Sequence, residues 1–217
     1  MIFNDEIFNP IACFIQAKKA SAEWRIRTCM SVDNFSRGSS SSPTTSTHLV
    51  RWYPPLLGFV KLNFDGSLIN SSVAGGFILW DWTRRLIKAR ATYYGDTSIL
   101  VTEARALRDG LRIAIQASFN NVAIEGDNKI VIEALKRKIP IPWQIANVIE
   151  DIHIWQIQGI QLKVTHIFRE VNMAADWLSK FEHSITASFS SDIFFSPYLR
   201  VILANDIVGR TLMKRGV

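Results

Sequence analysis

VKLNFDGS, residues 60–67, sets apolar Val60, Leu62 and Phe64 in alternation with Lys61 and Asn63 and then meets Asp65-Gly66-Ser67. A period of two is the mark of a β-strand, whose side chains point to opposite faces in turn, and the Asp-Gly-Ser run reads as its end. Asp65 is therefore expected at a strand terminus. Gly75 to Asp81 and Leu86 to Tyr94 give two more strand-like runs joined by Trp82-Thr83-Arg84-Arg85, so the first three strands should form an antiparallel meander.

Downstream the period changes. Ala104, Leu107, Leu111, Ala114 and Ile115 recur at helical spacing between Ser98 and Ala117, with Ser98 or Thr102 as the cap and Glu103 near the start. Asn121 to Glu125 then reads as a short buried strand ending at Gly126-Asp127. A helix over Lys129 to Arg137 follows, with a break at Pro140 and Pro142 and a second helix over Trp143 to Gln156. Gln161 to Phe168 alternates as a fifth strand, and Asn172 to Phe181 resumes the helical period. The order βββαβααβα implies an α/β fold: a five-stranded mixed sheet, three strands antiparallel and the rest parallel, with helices on both faces.

The flanks read differently. Arg37 to Thr47 is a Ser/Thr/Pro tract that buries too little apolar surface to offset its ordering entropy, and it reads as a linker. Residues 1–51 thus form an N-terminal extension with a short helix around Ile11 to Ile26, and residues 52–183 the domain. Residues 184–217 read as a tail with a short helix near Tyr198 to Asp206.

Composition narrows the function classes. Of 217 residues, 48% are hydrophobic, which excludes a wholly disordered chain. Lys and Arg outnumber Asp and Glu by 25 to 19, so the surface favours polyanions, nucleic acid first among them. Cys13 and Cys29 lack the paired spacing of a structural zinc site and read as reduced thiols. No basic n-region with a long apolar stretch opens the chain and no run reaches membrane-spanning length, so a soluble, intracellular monomer is expected, with no membrane partner.

Four acids fall where such a sheet would gather them: Asp65 and Asp127 at strand ends, Glu103 and Asp176 near helix starts. Clustered carboxylates repel one another unless a cation lies between them, and hard divalent ions prefer oxygen ligands. Two ions about 4 Å apart can activate water and stabilise the leaving oxygen of an in-line phosphoryl displacement. Each acid also has a plainer account taken singly, as a turn residue, a complement to a helix dipole or a solvated side chain. Their joint order argues for a metal site.

The runs WYPPLLGFVKLNFDGS (52–67), TEARALRDGL (102–111), VAIEGDNKIVIEAL (122–135) and HIFREVNMAADWLSK (166–180) resemble the type 1 ribonuclease H family, in its plant reverse-transcriptase-like, retroelement-associated form. PYLRVILANDIVGR (197–210) is similar to the terminal segment of the plant group. The resemblance implies a ribonuclease H-like fold over residues 52–183 and a magnesium-dependent endonuclease that hydrolyses the RNA strand of an RNA–DNA hybrid, with Mn²⁺ a substitute. It implies that Asp65 bridges two Mg²⁺ ions, Glu103 and Asp127 complete one coordination sphere, and Asp176 holds the ion that activates water. His166, ten residues before Asp176, would shuttle protons or assist product release; a satisfied core histidine is the alternative. Trp80 before Asp81 and Arg85 in the following turn depart from the plant pattern and put that hairpin's geometry in question.

Hybrid recognition needs contacts to the 2′-hydroxyl in a wide, shallow minor groove. Backbone groups at Gly66 and Ser67, with Asn128 and Asn172, are candidate readers, and turn and cap chemistry accounts for them equally well. Lys129, Lys136, Arg137 and Lys138 are candidate phosphate contacts, with a solvated charged face as the alternative. Trp80 and Trp82 read as packing residues. A catalytically silent nucleic-acid-binding module is the rival to the enzyme.

Overall fold

The computed structural model describes residues 49–181, 183, 197–208 and 211–213. Cys13, Cys29, the helix expected at 11–26 and the Ser/Thr linker lie outside them.

Strand β1 (Leu49–Arg51) precedes the meander of β2 (Val60–Ile69), β3 (Ser72–Trp80) and β4 (Leu86–Gly95). The strand expected to end at Asp65 runs on to Ile69, because Asp65, Gly66 and Ser67 stay in the ladder opposite Gly76, Gly75 and Ala74. The reversal falls instead at Asn70 and Ser71, whose φ values of 49° and 67° suit the left-handed two-residue turn of a twisted hairpin. At the second hairpin the Asp81 carboxylate accepts hydrogen bonds from the Thr83 and Arg85 N–H groups, both 2.8 Å, and Arg84 takes a φ of 69°. The side-chain acceptor shapes a turn that lacks the usual glycine.

Helix α1 (Ile99–Gln116) starts at Ser98, whose Oγ accepts from the Val101 N–H. Strand β5 (Asn121–Gly126) pairs parallel with β2, and β6 (Gln161–His166) pairs parallel with β5, giving the sheet order β4-β3-β2-β5-β6. Between them lie α2 (Lys129–Leu135) and a 3₁₀ turn (Trp143–Ile145) that leads into α3 (Ala146–Ile157). A second 3₁₀ turn (Arg169–Val171) precedes α4 (Met173–Phe181), and α5 (Pro197–Val208) and β7 (Thr211–Met213) follow. The expected α/β order and mixed sheet are present.

The sheet separates two cores. Val60, Leu62 and Phe64 of β2, with Phe77 and Leu79 of β3, meet Leu107, Leu111 and Ile149 on one face. Ile78 and Trp80 point the other way, toward Leu178 and Trp52. Each large side chain so buried contributes roughly 1.5–3 kcal/mol. The short helix expected near Tyr198 to Asp206 is α5; its Leu199, Ile202 and Leu203 join the second core, and β7 pairs antiparallel with β1. Trp80 packs as expected, whereas Trp82 is 43% exposed, since it sits in the hairpin beyond the strand.

Candidate active site

Three elements meet at one point: the middle of β2, the first turns of α1 and the end of β5. Asp65 on β2 is buried, and its Oδ2 accepts a 2.7 Å hydrogen bond from Ser179 Oγ on α4. That approach depends on Gly76, the ladder partner of Asp65: a Cβ there would stand 2.7 Å from Leu178 Cβ and from the Ser179 N. Glu103 arrives from α1 on the opposite face. Gly66 admits it, because a Cβ on Gly66 would press on Glu103 Cγ at 3.1 Å and its backbone N at 3.2 Å. Asp127 follows the last residue of β5, and Asn172 Nδ2 fixes it, donating to Asp127 Oδ1 (3.0 Å) and to the Phe64 carbonyl (2.8 Å).

One carboxylate oxygen from each of Asp65, Glu103 and Asp127 lies within 4.8 Å of the others. Burial, then the negative charge of Asp127, pushes the Asp65 carboxyl up to about 8, against the Ser179 hydrogen bond that lowers it. Burial first, then Asp65 and Asp127, raises Glu103 well above the ordinary carboxylate range. Glu103 Oε2 is buried with no hydrogen-bond partner. A buried acceptor of this kind normally costs about 1–3 kcal/mol, more if charged. A hard cation fits the site: it would satisfy that oxygen and offset the burial and repulsion that raise Asp65 and Glu103.

The fourth expected ligand, Asp176, stands beside this cluster rather than in it. Its carboxylate is held by Arg169 Nη2 at 2.6 Å and Lys180 Nζ at 2.5 Å. Its link to the cluster is Ser179, whose Oγ also reaches the Asp176 carbonyl at 2.9 Å. With one hydroxyl proton to give, Ser179 donates to Asp65 when that carboxyl is ionised and to the carbonyl when Asp65 is itself the donor.

His166 is exposed at the end of β6, not a core residue, with Nε2 3.1 Å from the Asp127 carbonyl and its ring edge-on to Phe168. The candidate 2′-hydroxyl readers divide. Asn172 is buried and engaged with Asp127, and Ser67 is buried with its Oγ donating to the Ser179 carbonyl at 2.7 Å. These two side chains therefore face inward, whereas the groups expected to read at position 67 belong to its backbone. Asn128 caps α2, accepting from the Ile130 and Val131 N–H groups, and stays partly exposed, as does Gly66. Lys129 is exposed two residues beyond Asp127. Lys136, Arg137 and Lys138 lie past the end of α2, about 10 Å along its axis at 1.5 Å per residue. Lys136 and Arg137 border a groove of about 520 Å³ with His153 and Val164.

Reading the sequence missed Ser179, Arg169 and Lys180. The available signal was helical spacing: Ser179 and Lys180 lie three and four residues after Asp176, on one side of α4.

Known proteins resemble this chain over the same region. The reverse-transcriptase-like family matches residues 63–182. An Arabidopsis thaliana protein named for ribonuclease H is 25% identical over 169 residues, 77% of this chain and 27% of that protein, so the chain spans about a quarter of that relative's length. Among solved structures, RNase H1 of Halobacterium salinarum superposes with a TM-score of 0.55 at 19% identity, covering 58% of this chain and 98% of its own. The N-terminal RNase H domain of a Mycobacterium tuberculosis protein gives 0.55 at 18%, over 58% and 94%. LC11-RNase H1, solved in complex with an RNA/DNA hybrid, gives 0.52 at 18%, over 56% and 94%. These neighbours share the fold, and the matched residues contain the three clustered carboxylates together with Asp176: the chain belongs to the reverse-transcriptase-like family, on a ribonuclease H fold.

Proposed function

We propose that the protein is a divalent-metal-dependent ribonuclease that hydrolyses the RNA strand of RNA–DNA hybrids. The observation that carries this reading is the convergence of Asp65, Glu103 and Asp127, with a buried, unpartnered Glu103 oxygen among them. Bound Mg²⁺, or Mn²⁺ in its place, would supply the Lewis acidity that activates water and stabilises the leaving oxygen, with two ions held between these three carboxylates and Asp176. The remaining work falls to the chain. Asn172 fixes Asp127, Ser179 orients Asp65, and Arg169 with Lys180 holds Asp176 beside the cluster. His166, anchored through Nε2 to the Asp127 carbonyl, keeps Nδ1 for proton movement at the departing oxygen.

Substrate choice rests on the residues around the site. The backbone groups at Gly66 and Ser67, with Asn128, are the candidates to sense the 2′-hydroxyl of an A-like hybrid. Lys129, and farther along Lys136, Arg137 and Lys138, contact phosphates without reading sequence. The hybrid-bound neighbour with the same fold supports this class of substrate.

One observation favours a second reading, a silent hybrid-binding module: the Asp176 carboxylate is satisfied by two cations outside the cluster. Purified protein with Mg²⁺ or Mn²⁺, offered labelled hybrid beside single-stranded and duplex RNA, separates the two. Cleavage confined to the RNA of the hybrid is expected; tight binding of hybrid with no product would establish the silent module instead.

A further inference from the structure

The segment that leaves β6 does not run free past the carboxylates. It forms one wall of a cleft of about 470 Å³, and the β1–β7 ribbon forms the other. This lies within the volumes typical of ligand sites, roughly 300–1,000 Å³. His166 lines the cleft, and because its Nε2 lies 3.1 Å from the Asp127 carbonyl, the cleft opens one residue away from the acidic cluster.

The lining sets Arg51, His166 and two aromatic rings among aliphatic Leu49, Val50, Ile167 and Val171. Tyr53 is 62% exposed and carries the Arg51 guanidinium 5.4 Å from its ring centroid; Phe168, 40% exposed, lies on the opposite wall; no lining residue is acidic. The exposed Tyr53 ring rests on a fixed backbone. Its carbonyl accepts a 2.5 Å hydrogen bond from the buried Lys61 ammonium, and neighbouring Trp52 is buried in the second core. An exposed aromatic ring with a cation over it, in a cleft that holds a second ring, is the arrangement on which unpaired bases stack while their phosphates meet positive charge. Arg51, Tyr53 and Thr211 lie outside the matched residues 63–182, so the cleft is built partly from segments that flank that region.

We propose that this cleft binds an unpaired nucleotide of the strand that runs on from the carboxylates, so that the protein prefers hybrids with a single-stranded extension. This deepens the ribonuclease reading and rests on it for the direction from which the strand arrives. The extension can belong to the RNA or to the DNA strand, since either presents a base and a phosphate.

The test uses the full chain carrying Asp65→Asn, so that the hybrid persists. Hybrids of one duplex sequence are compared blunt or with a short extension on each end of each strand, with 2-aminopurine as the first unpaired base. At least one extension should tighten binding about five-fold or more over the blunt hybrid, the equivalent of about 1 kcal/mol of base–aromatic stacking, and its 2-aminopurine fluorescence should be quenched. Tyr53→Ala should bring the ratio of extended to blunt affinity toward one, and Tyr53→Trp should keep it. The extension that responds identifies the strand. The proposal is overturned if no extension binds better than blunt, or if the gain survives both Tyr53→Ala and Arg51→Ala. Cleavage is assayed separately in the unmodified chain. Hybrid cleavage with no extension preference leaves the ribonuclease reading and removes this one. A Tyr53-dependent preference in a chain that cuts nothing does the reverse.

Discussion

Strand β2 carries two sets of side chains, and both are buried. Val60, Leu62 and Phe64 enter the apolar core under α1 and α3, while Lys61, Asn63, Asp65 and Ser67 face α4 and α5. The first set is held by area removed from water. The second is polar throughout, and each member has a partner: Lys61 pairs with Glu125 at 2.6 Å, Asn63 donates to Glu125 at 3.3 Å, and Asp65 and Ser67 meet Ser179. Burying four polar groups in a row is unfavourable without such partners. The difference teaches that one face of the strand specifies the fold, while the other holds a carboxylate in a dry, positioned state at some expense in stability.

Substitutions on the two faces should therefore act on different observables. The largest effect on folding belongs to the apolar face: Phe64→Ala should lower unfolding free energy by about 3–5 kcal/mol in urea titrations. On the polar face Lys61→Met leaves the Glu125 carboxylate uncompensated and should cost about 3 kcal/mol. Adding Glu125→Gln, which still accepts from Asn63, should recover at least half of that loss in a double-mutant cycle. Full additivity would show that the pair is not coupled.

A pH series sharpens the contrast. The folded-state pKa of Asp65 is raised, from an ordinary 3.8 to about 8, so the fold favours its protonated form. The stability this contributes is fully present below pH 3.8 and is lost as pH rises through about 8. In chelator, the thermal midpoint should fall between pH 5 and pH 9, and Asp65→Asn should flatten that fall. Divalent metal should raise the midpoint most at the alkaline end, where the carboxylates are ionised. A smaller effect is expected from Ser179→Ala. Loss of a hydrogen bond that lowers Asp65 should move the onset of Mn²⁺ binding to higher pH by about one, while the global fold is retained.

Much of this was legible in the sequence for a physical reason. The period-two run, the helical run after Ser98 and the Pro breaks are local signals, and they place Asp65, Glu103 and Asp127 on the elements that carry them. The rest was hidden by range or by symmetry. Alternation in VKLNFDGS shows that there are two faces but does not show that Lys61 and Asn63 are buried. The Asp-Gly pair carries turn chemistry, yet Gly66 serves here to let Glu103 approach. The pairing of Leu49–Arg51 with Thr211–Met213 joins segments about 160 residues apart in sequence, for which no local pattern exists. The Arg169 and Lys180 clamp on Asp176 depends on how a 3₁₀ turn meets α4, which spacing alone leaves open.

The central claim is that Asp65, Glu103 and Asp127 hold a divalent ion that drives hydrolysis of the RNA strand. Single-turnover cleavage of a labelled RNA–DNA hybrid, with Mg²⁺ or with chelator, in the unmodified chain and in Asp65→Asn, tests it most directly. The account predicts cleavage only with metal and a loss on the order of 10³-fold in Asp65→Asn, as expected when several kcal/mol of metal stabilisation is removed. Cleavage that persists in chelator, or that Asp65→Asn leaves intact, would contradict it.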